Sequence, residues 1–320
     1  MVFQKATKRR SKLRLALSGP SGSGKTYTAL IAATVMAKGG KVALVDTEHG
    51  SASLYADKFN FDVMDIEDDF HPKKFIAAIK EAEKADYAVV VLDGLSHEWN
   101  GPGGILALHD IAKKRPQYGG NSYAAWAEIT PQHDKLVEAI LQSGIHVIAT
   151  MRSKQEYALE HDGEKKKTVV KKLGLAPVQR DGMEYEFSIW GEMTAENDLV
   201  ISKTRCDLIT GAVVPKPAAD FFEKIMAWLE EGEEPVPRTE KPVEAKADED
   251  KPMTVTAKRK LQTIYTQVFE DELSIPPELT TGEGRKVYQV CLDCEHCKIA
   301  KDEAIKAIAS IFGAAITRAA

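Results

Sequence analysis

Eight consecutive residues constrain this chain more than any others. Gly19-Pro20-Ser21-Gly22-Ser23-Gly24-Lys25-Thr26 match the pattern GxxxxGK[ST], in which a glycine-rich turn opens directly into a helix. The flanking sequence supplies the context that the pattern needs. Leu13 to Ser18 is a short apolar run, and Lys25 to Lys38 carries apolar residues at helical spacing, so the reading is strand, loop, helix. Glycines let the backbone amides curl around a polyphosphate, and the helix N-terminus adds a favourable dipole. Lys25 reaches the β and γ phosphates and the Thr26 hydroxyl ligates Mg²⁺. The expected nucleotide contacts are therefore Gly19, Pro20, Ser21, Gly22, Ser23, Gly24, Lys25 and Thr26, with Tyr27 beside them. A purely structural glycine turn is the plain alternative, and the strand and helix on either side weigh against it.

The rest of the first two thirds continues the same alternation. Lys41 to Asp46, the valine-rich Tyr87 to Asp93 and His146 to Met151 are continuous apolar runs, as expected of strands buried on both faces of a parallel sheet. Helical patterns at about Pro72 to Ala85 and Tyr123 to Ser143 lie between them, which predicts a doubly wound α/β core with helices on both sides. After Met151 the pattern turns antiparallel. Glu156 to Leu159 and Lys167 to Lys172 flank Asp162-Gly163, a favoured hairpin turn, and Glu184 to Trp190 and Asp198 to Lys203 read as further strands. A helix from about Ala218 to Glu230 closes this part. Gly101 to Gly104 and Arg115 to Asn121 read as one long glycine-rich connection after Asp93. Its Trp99, Tyr118 and Tyr123 are candidates for a nucleic-acid or subunit contact, while His97 and His109 could be ligands but read more simply as plain polar residues.

From Gly232 to Pro252 glutamate, proline, lysine and alanine replace large apolar residues, a composition that does not bury enough surface to order itself. Thr256 to Leu273 and Lys301 to Thr317 regain helical periodicity, with Pro276 and Pro277 between them. The expected organisation is a basic arm over 1–12, a nucleotide-binding domain over 13–231, a linker over 232–252 and a small helical module over 253–320.

Charge and cysteine content exclude little and locate less. The formal net charge of −5 over 320 residues gives no global attraction to nucleic acid, so such binding needs local basic patches. Three of the four cysteines, Cys291, Cys294 and Cys297, cluster with His296. Zinc is one reading of that spacing; buried thiols on one helical face are another, because His296 and Cys297 are adjacent and rarely converge on one tetrahedral ion. The cysteines are too few for a secreted disulfide scaffold, and a cytoplasmic location is expected. Met1 to Arg14 has no signal-like apolar run, and no stretch approaches the roughly 20 apolar residues of a membrane span, so no membrane partner is expected.

Given the phosphate loop, Asp93 at the end of its apolar strand is the expected second Mg²⁺ residue. Gly94 follows it, so no carboxylate adjoins to activate water, and the general base must come from elsewhere. Glu48, just past the strand ending in Asp46, is the candidate; an ordinary acidic turn is the alternative. Val42 to Lys58, with Asp46, Glu48-His49 and Tyr55-Ala56-Asp57-Lys58, resembles the segment of RecA recombinases that carries their catalytic glutamate. With the phosphate loop, Asp93-Gly94, the hairpin lysines and Glu184-Tyr185-Glu186-Phe187, residues 12 to about 231 resemble the short RecA-like AAA-type ATPases of phages, which act in single-strand annealing and recombination. The resemblance implies a RecA-like P-loop core that hydrolyses ATP with Mg²⁺, Glu48 as base, and Lys25, Thr26 and Asp93 around phosphate and metal.

It also implies a ring or filament in which Lys203 and Arg205 reach the neighbouring subunit's site as arginine-finger-like cations; a charged edge strand is the alternative. Where RecA has a phosphate-sensing glutamine, Thr150 stands here, a hydroxyl of shorter reach. Arg152 and Lys154 follow it and could approach the nucleotide or the next loop. Lys165, Lys166, Lys167, Lys171 and Lys172, with Arg152, are candidate contacts to single-stranded DNA, and Tyr157 could stack on a base; a solvated charged hairpin is the alternative. The basic arm could add a phosphate contact or be a plain tail. The tail module could recruit a single-strand binding or replication protein. Two other functions fit a phosphate loop: a small-molecule kinase, and a nucleotide-switched interaction module without turnover.

Overall fold

The computed structural model describes residues 5–162, 167–234, 253–269, 279–295 and 303–311. It divides into two compact units, Met1–Pro235 and Val236–Ala320.

The first unit is built on one twisted sheet. β1 (Arg14–Gly19), β2 (Lys41–Asp46), β3 (Asp62–Asp65), β4 (Tyr87–Asp93) and β5 (His146–Asp162) run parallel in the order β3-β2-β4-β5-β1. Beyond β1 come β7 (Ile189–Met193), parallel to it, then β8 (Asp198–Thr204) and β9 (Val213–Pro215), both antiparallel. This is the α/β class expected from the alternation, with its antiparallel extension on the C-terminal side. The period-2 rule sorts the side chains of every central strand onto two faces. Leu13, Leu15, Leu17, Val89, Val91 and Ile148 join one core cluster, whose helical layer is α1 (Lys25–Ala37) and α6 (Ala219–Glu230). Ala16, Val90, Leu92, Val147, Ala149 and Met151 join the other, against α2 (Pro72–Lys84) and α5 (Ser122–Gln142). Two-sided burial of this kind is what continuous apolar strands require.

Three departures from the sequence reading have physical causes. Glu184 to Trp190 is not a single strand: a 3-10 turn occupies Met183–Tyr185, and β7 starts at Ile189. The connection after Asp93 is not a loop, because it contains α3 (Ser96–Asn100) and α4 (Ile105–Lys113), each begun from a non-helical or glycine-flanked junction. Their aromatic residues form a small core of their own: Trp99 stacks on Trp126 at 6.0 Å and Trp126 on His109 at 4.2 Å, leaving Tyr123 as the exposed aromatic of that group. The basic arm is also engaged. Arg10 N donates to Glu233 O at 2.9 Å, Lys8 pairs with Glu231 and Arg10 with Glu234, while Arg14 is buried with its guanidinium on the carbonyls of Leu13 and Ile145.

The expected hairpin is longer than its sequence signal. β5 leaves the sheet at Arg152 and continues to Asp162, paired with β6 (Lys167–Pro177) from Ser153↔Pro177 to Asp162↔Lys167. Lys167, Lys171 and Lys172 lie on its returning arm, while Lys165 and Lys166 fall outside the described residues.

In the second unit α7 (Val255–Phe269), α8 (Thr281–Glu295) and a helix over 303–311 surround Leu261, Val268, Leu279, Val287, Cys291, Ala304 and Ile308. Cys291 is a core residue there. Among the described residues no group of histidine, cysteine or carboxylate side chains is arranged to hold a metal; His296 and Cys297 lie outside them, as does most of the expected linker.

Candidate nucleotide-binding site

Parallel strands present their C-terminal ends on one edge, and there the first unit has a cleft of about 510 Å³. Ser21, Gly22, Gly24, Lys25, Thr26, Glu48, Tyr55, Asp93, Arg152 and Ser153 line it. The loop's glycines are structural necessities. Gly24 has φ +80°, the left-handed region that glycine enters without strain, and a Cβ on Gly19 would come within 2.7 Å of the Met193 carbonyl. From the turn between β7 and β8, Asn197 Nδ2 donates to Gly22 O at 3.2 Å and steadies the loop from outside. Sequence reading had no signal for that clasp.

The strand order explains what meets at the floor. β5 lies between β1 and β4, so Thr150 sits between the loop and Asp93. Asp93 is buried and accepts from Thr26 Oγ1 at 2.8 Å and, on its other oxygen, from Thr150 Oγ1. Burial first, and then the negative charges of Glu48 and Asp46, push its carboxyl up to about 6 against these two hydrogen bonds. Lys25 Nζ donates to Pro20 O at 2.8 Å, and burial lowers its pKa despite the facing Glu48 and Asp93.

Glu48 is presented by a turn that Asp46 builds: Asp46 accepts from Glu48 N at 2.5 Å and from Ala52 N at 3.1 Å. Thr47 fastens the same turn to β4, accepting from Gly94 N at 2.8 Å. Glu48 Oε1 accepts from Arg152 Nε at 3.0 Å and Nη2 at 2.8 Å. Arg152 therefore lines this cleft, the nucleotide side of its two expected placements: it stands on the last parallel residue of β5, before the hairpin leaves the sheet.

Tyr27 is expected at this cleft, and Lys203 and Arg205 at a neighbouring subunit's; all three lie outside this one. Tyr27 does not line the cleft; its ring packs edge-on against Tyr55 at 5.6 Å and Phe59 at 5.2 Å, so Tyr55 is the aromatic that faces the site. Lys203 is spent on its own chain, donating to the carbonyls of Tyr185 and Phe187. Arg205 is exposed just past β8, away from this cleft.

The residues present fit a nucleotide polyphosphate and Mg²⁺. Thr26 and Asp93 are hard oxygen donors of the kind Mg²⁺ takes, and a cation would relieve the desolvated Asp93. Ser23 Oγ is buried in the loop without a hydrogen-bond partner among the described residues, as in a loop whose polar groups are completed by a ligand.

A phosphate loop on a parallel sheet with these groups beneath it defines a P-loop nucleotide-binding protein. Residues 11–225 match the family model described as AAA domain, and the chain belongs to that family. A search of curated proteins finds no match. Among solved structures, the crystal structure of the RadB recombinase is similar at 21% identity, covering 61% of this chain and 83% of that one with a TM-score of 0.34, and the likeness carries no further argument. No helix among the described residues is long and apolar enough to cross a membrane.

Proposed function

We propose that this protein is a Mg²⁺-dependent ATPase of the RecA-like class that acts on single-stranded DNA in phage-type recombination or replication. The observation that carries the reading is the convergence of Lys25, Thr26, Glu48, Asp93 and Arg152 on one cleft from the ends of three different strands and the first helix. Lys25 exchanges the Pro20 carbonyl for phosphate oxygens, and the amides from Gly22 to Thr26 turn toward the same charge. Tyr55 offers the base an aromatic face. Thr26 and Asp93 hold the cation, which when bound neutralises charge on the phosphate oxygens.

Glu48 is the general base and takes a proton from water. Its present partner restrains it: Arg152 places two donors on Oε1, one of the two oxygens that would accept the proton. Arg152 therefore has to change partner, and an incoming polyphosphate is the stronger acceptor for a guanidinium. Thr150 holds Asp93 in place rather than touching phosphate. The DNA assignment rests on the hairpin, whose core arm is a direct continuation of the strand carrying Thr150 and Arg152, and whose returning arm carries Lys167, Lys171 and Lys172. Non-specific, salt-sensitive contacts are what such lysines supply. Assembly as a ring or filament, with Arg205 completing a neighbour's site, belongs to the same proposal.

The Arg152-Glu48 pair also supports a second reading, a nucleotide-switched module with negligible turnover. Hydrolysis by the full chain with and without single-stranded DNA, beside Glu48→Gln, separates the two. The ATPase reading expects DNA-stimulated turnover that Glu48→Gln lowers by roughly 10²–10⁴, the usual weight of a general base, with ATP affinity kept. Tight binding with no turnover in either protein selects the switch.

A further inference from the structure

Beside the cleft lies a buried polar set that the phosphate chemistry does not use. Glu98 on α3, His133 on α5 and Gln179 in the segment leaving β6 are all buried. Glu98 Oε1 is 3.1 Å from His133 Nδ1, and Glu98 Oε2 accepts from Gln179 Nε2 at 3.2 Å. Trp99 covers His133 edge-on at 5.6 Å. A carboxylate wholly withdrawn from water is poor evidence of stabilisation, since apolar side chains of like volume usually serve a core as well or better. The arrangement calls for another reason.

Its hydrogen bonds supply one, because they join the foot of the hairpin to the residues around Asp93. Leu95 N donates to Thr150 O at 2.8 Å, and Ser96 Oγ accepts from Arg152 N at 2.9 Å. Val178 N donates to Arg152 O at 2.7 Å. Gln179 Nε2 reaches Leu95 O at 3.4 Å as well as Glu98, and Gln179 Oε1 accepts from Arg180 N at 2.8 Å. Arg180 pairs in turn with Asp134, next to His133 on α5. Residues 178–180 are thus held by β5, which carries Arg152, by α3 and the residue before it, which follow Asp93, and by α5, and β6 is attached to those residues directly.

We propose that Gln179 and Glu98 are positioning residues that couple the nucleotide cleft to the hairpin. When Arg152 changes partner, the backbone at Arg152 and the start of α3 shift together, and the buried bonds pass that shift to residues 178–180 and on to β6. Glu98 and His133 fix the far end, so the foot of the hairpin follows the strand instead of yielding. Coupling through a contiguous packed network is the physical requirement for such a relay. The inference rests on the reading of the cleft as an ATP site.

The test is hydrogen exchange of the backbone amides of residues 153–177 in the full chain, with and without a non-hydrolysable ATP analogue and Mg²⁺, alongside measured affinity for the analogue. The native protein is expected to change exchange in both arms on binding. Gln179→Leu is expected to bind the analogue as tightly and to lose that response; Gln179→Ala serves if the leucine variant does not fold. Glu98→Gln still accepts from Gln179 and donates to His133, and is expected to keep the response. Arms that respond in Gln179→Leu as in the native protein overturn the proposal. So do native arms that stay silent while the analogue binds, and variants that lose affinity and response in equal measure. An analogue that fails to bind the native protein overturns the ATP reading itself and the coupling with it.

Discussion

Burial at the end of β4 makes the folded chain carry Asp93 at a cost. Its carboxyl is pushed up to about 6 from an ordinary value near 3.8, so above pH 6 both folded and unfolded chains are ionised there and the folded one bears the whole penalty. Below about pH 4 the folded group is neutral and the penalty has gone. A shift of this size corresponds to about 3 kcal/mol. Asp93→Asn is therefore expected to raise the melting temperature of the ligand-free protein at pH 7.5, by less and less as pH falls through 6 toward 4, while abolishing Mg²⁺-dependent nucleotide affinity. Calorimetry across that range, with nucleotide titrations at pH 7.5, checks both halves. Equal stabilisation at pH 4 and 7.5 would mean that Asn repacks the site and that charge is not the issue. The same substitution stabilising the fold and removing the function is the expected mark of a site residue.

Elements differ in how openly they declare themselves. In α5, Pro131 sits inside a 21-residue helix and is exposed; it removes one backbone donor and crowds the carbonyl four residues earlier, which costs up to about 3 kcal/mol in a helix interior. Pro131→Ala is expected to raise stability by roughly 1–3 kcal/mol in urea unfolding with little effect on nucleotide affinity, and an unchanged midpoint would show that the helix has absorbed the ring by bending. The central strands were legible because two-sided burial leaves continuous apolar runs, and the phosphate loop because its chemistry is local. Glu48 and Arg152 were each singled out, yet their pairing spans 104 residues and depends on β5 lying beside β4. The helices after Asp93 were hidden by glycines that read as loop. Glu98, His133 and Gln179 carried no signal in the sequence, since nothing local tells a polar side chain that it faces two other elements. Strand β3 was missed because its four residues are exposed at the sheet edge, Asp-Val-Met-Asp, and lack the apolar run of the inner strands.

At the scale of the molecule the two units have separate cores of very unequal size. The first packs both faces of a sheet against helices, while the described core of the second is one small cluster around Leu261, Leu279 and Val287. Small domains bury a lower fraction of their surface and are correspondingly marginal, so the second unit is expected to melt first, as its own transition. Nucleotide then acts as a label for the larger unit. A ligand that binds only the folded cleft stabilises by RT ln(1 + [L]/Kd), about 2.7 kcal/mol at a hundredfold excess over Kd, and that gain belongs to the unit that owns the phosphate loop. Calorimetry of the full chain with increasing Mg²⁺ and ATP analogue is expected to move the upper transition by several degrees and leave the lower one in place. A single transition that moves whole would show that the helical unit unfolds together with the nucleotide-binding unit, and that nucleotide binding is felt in both.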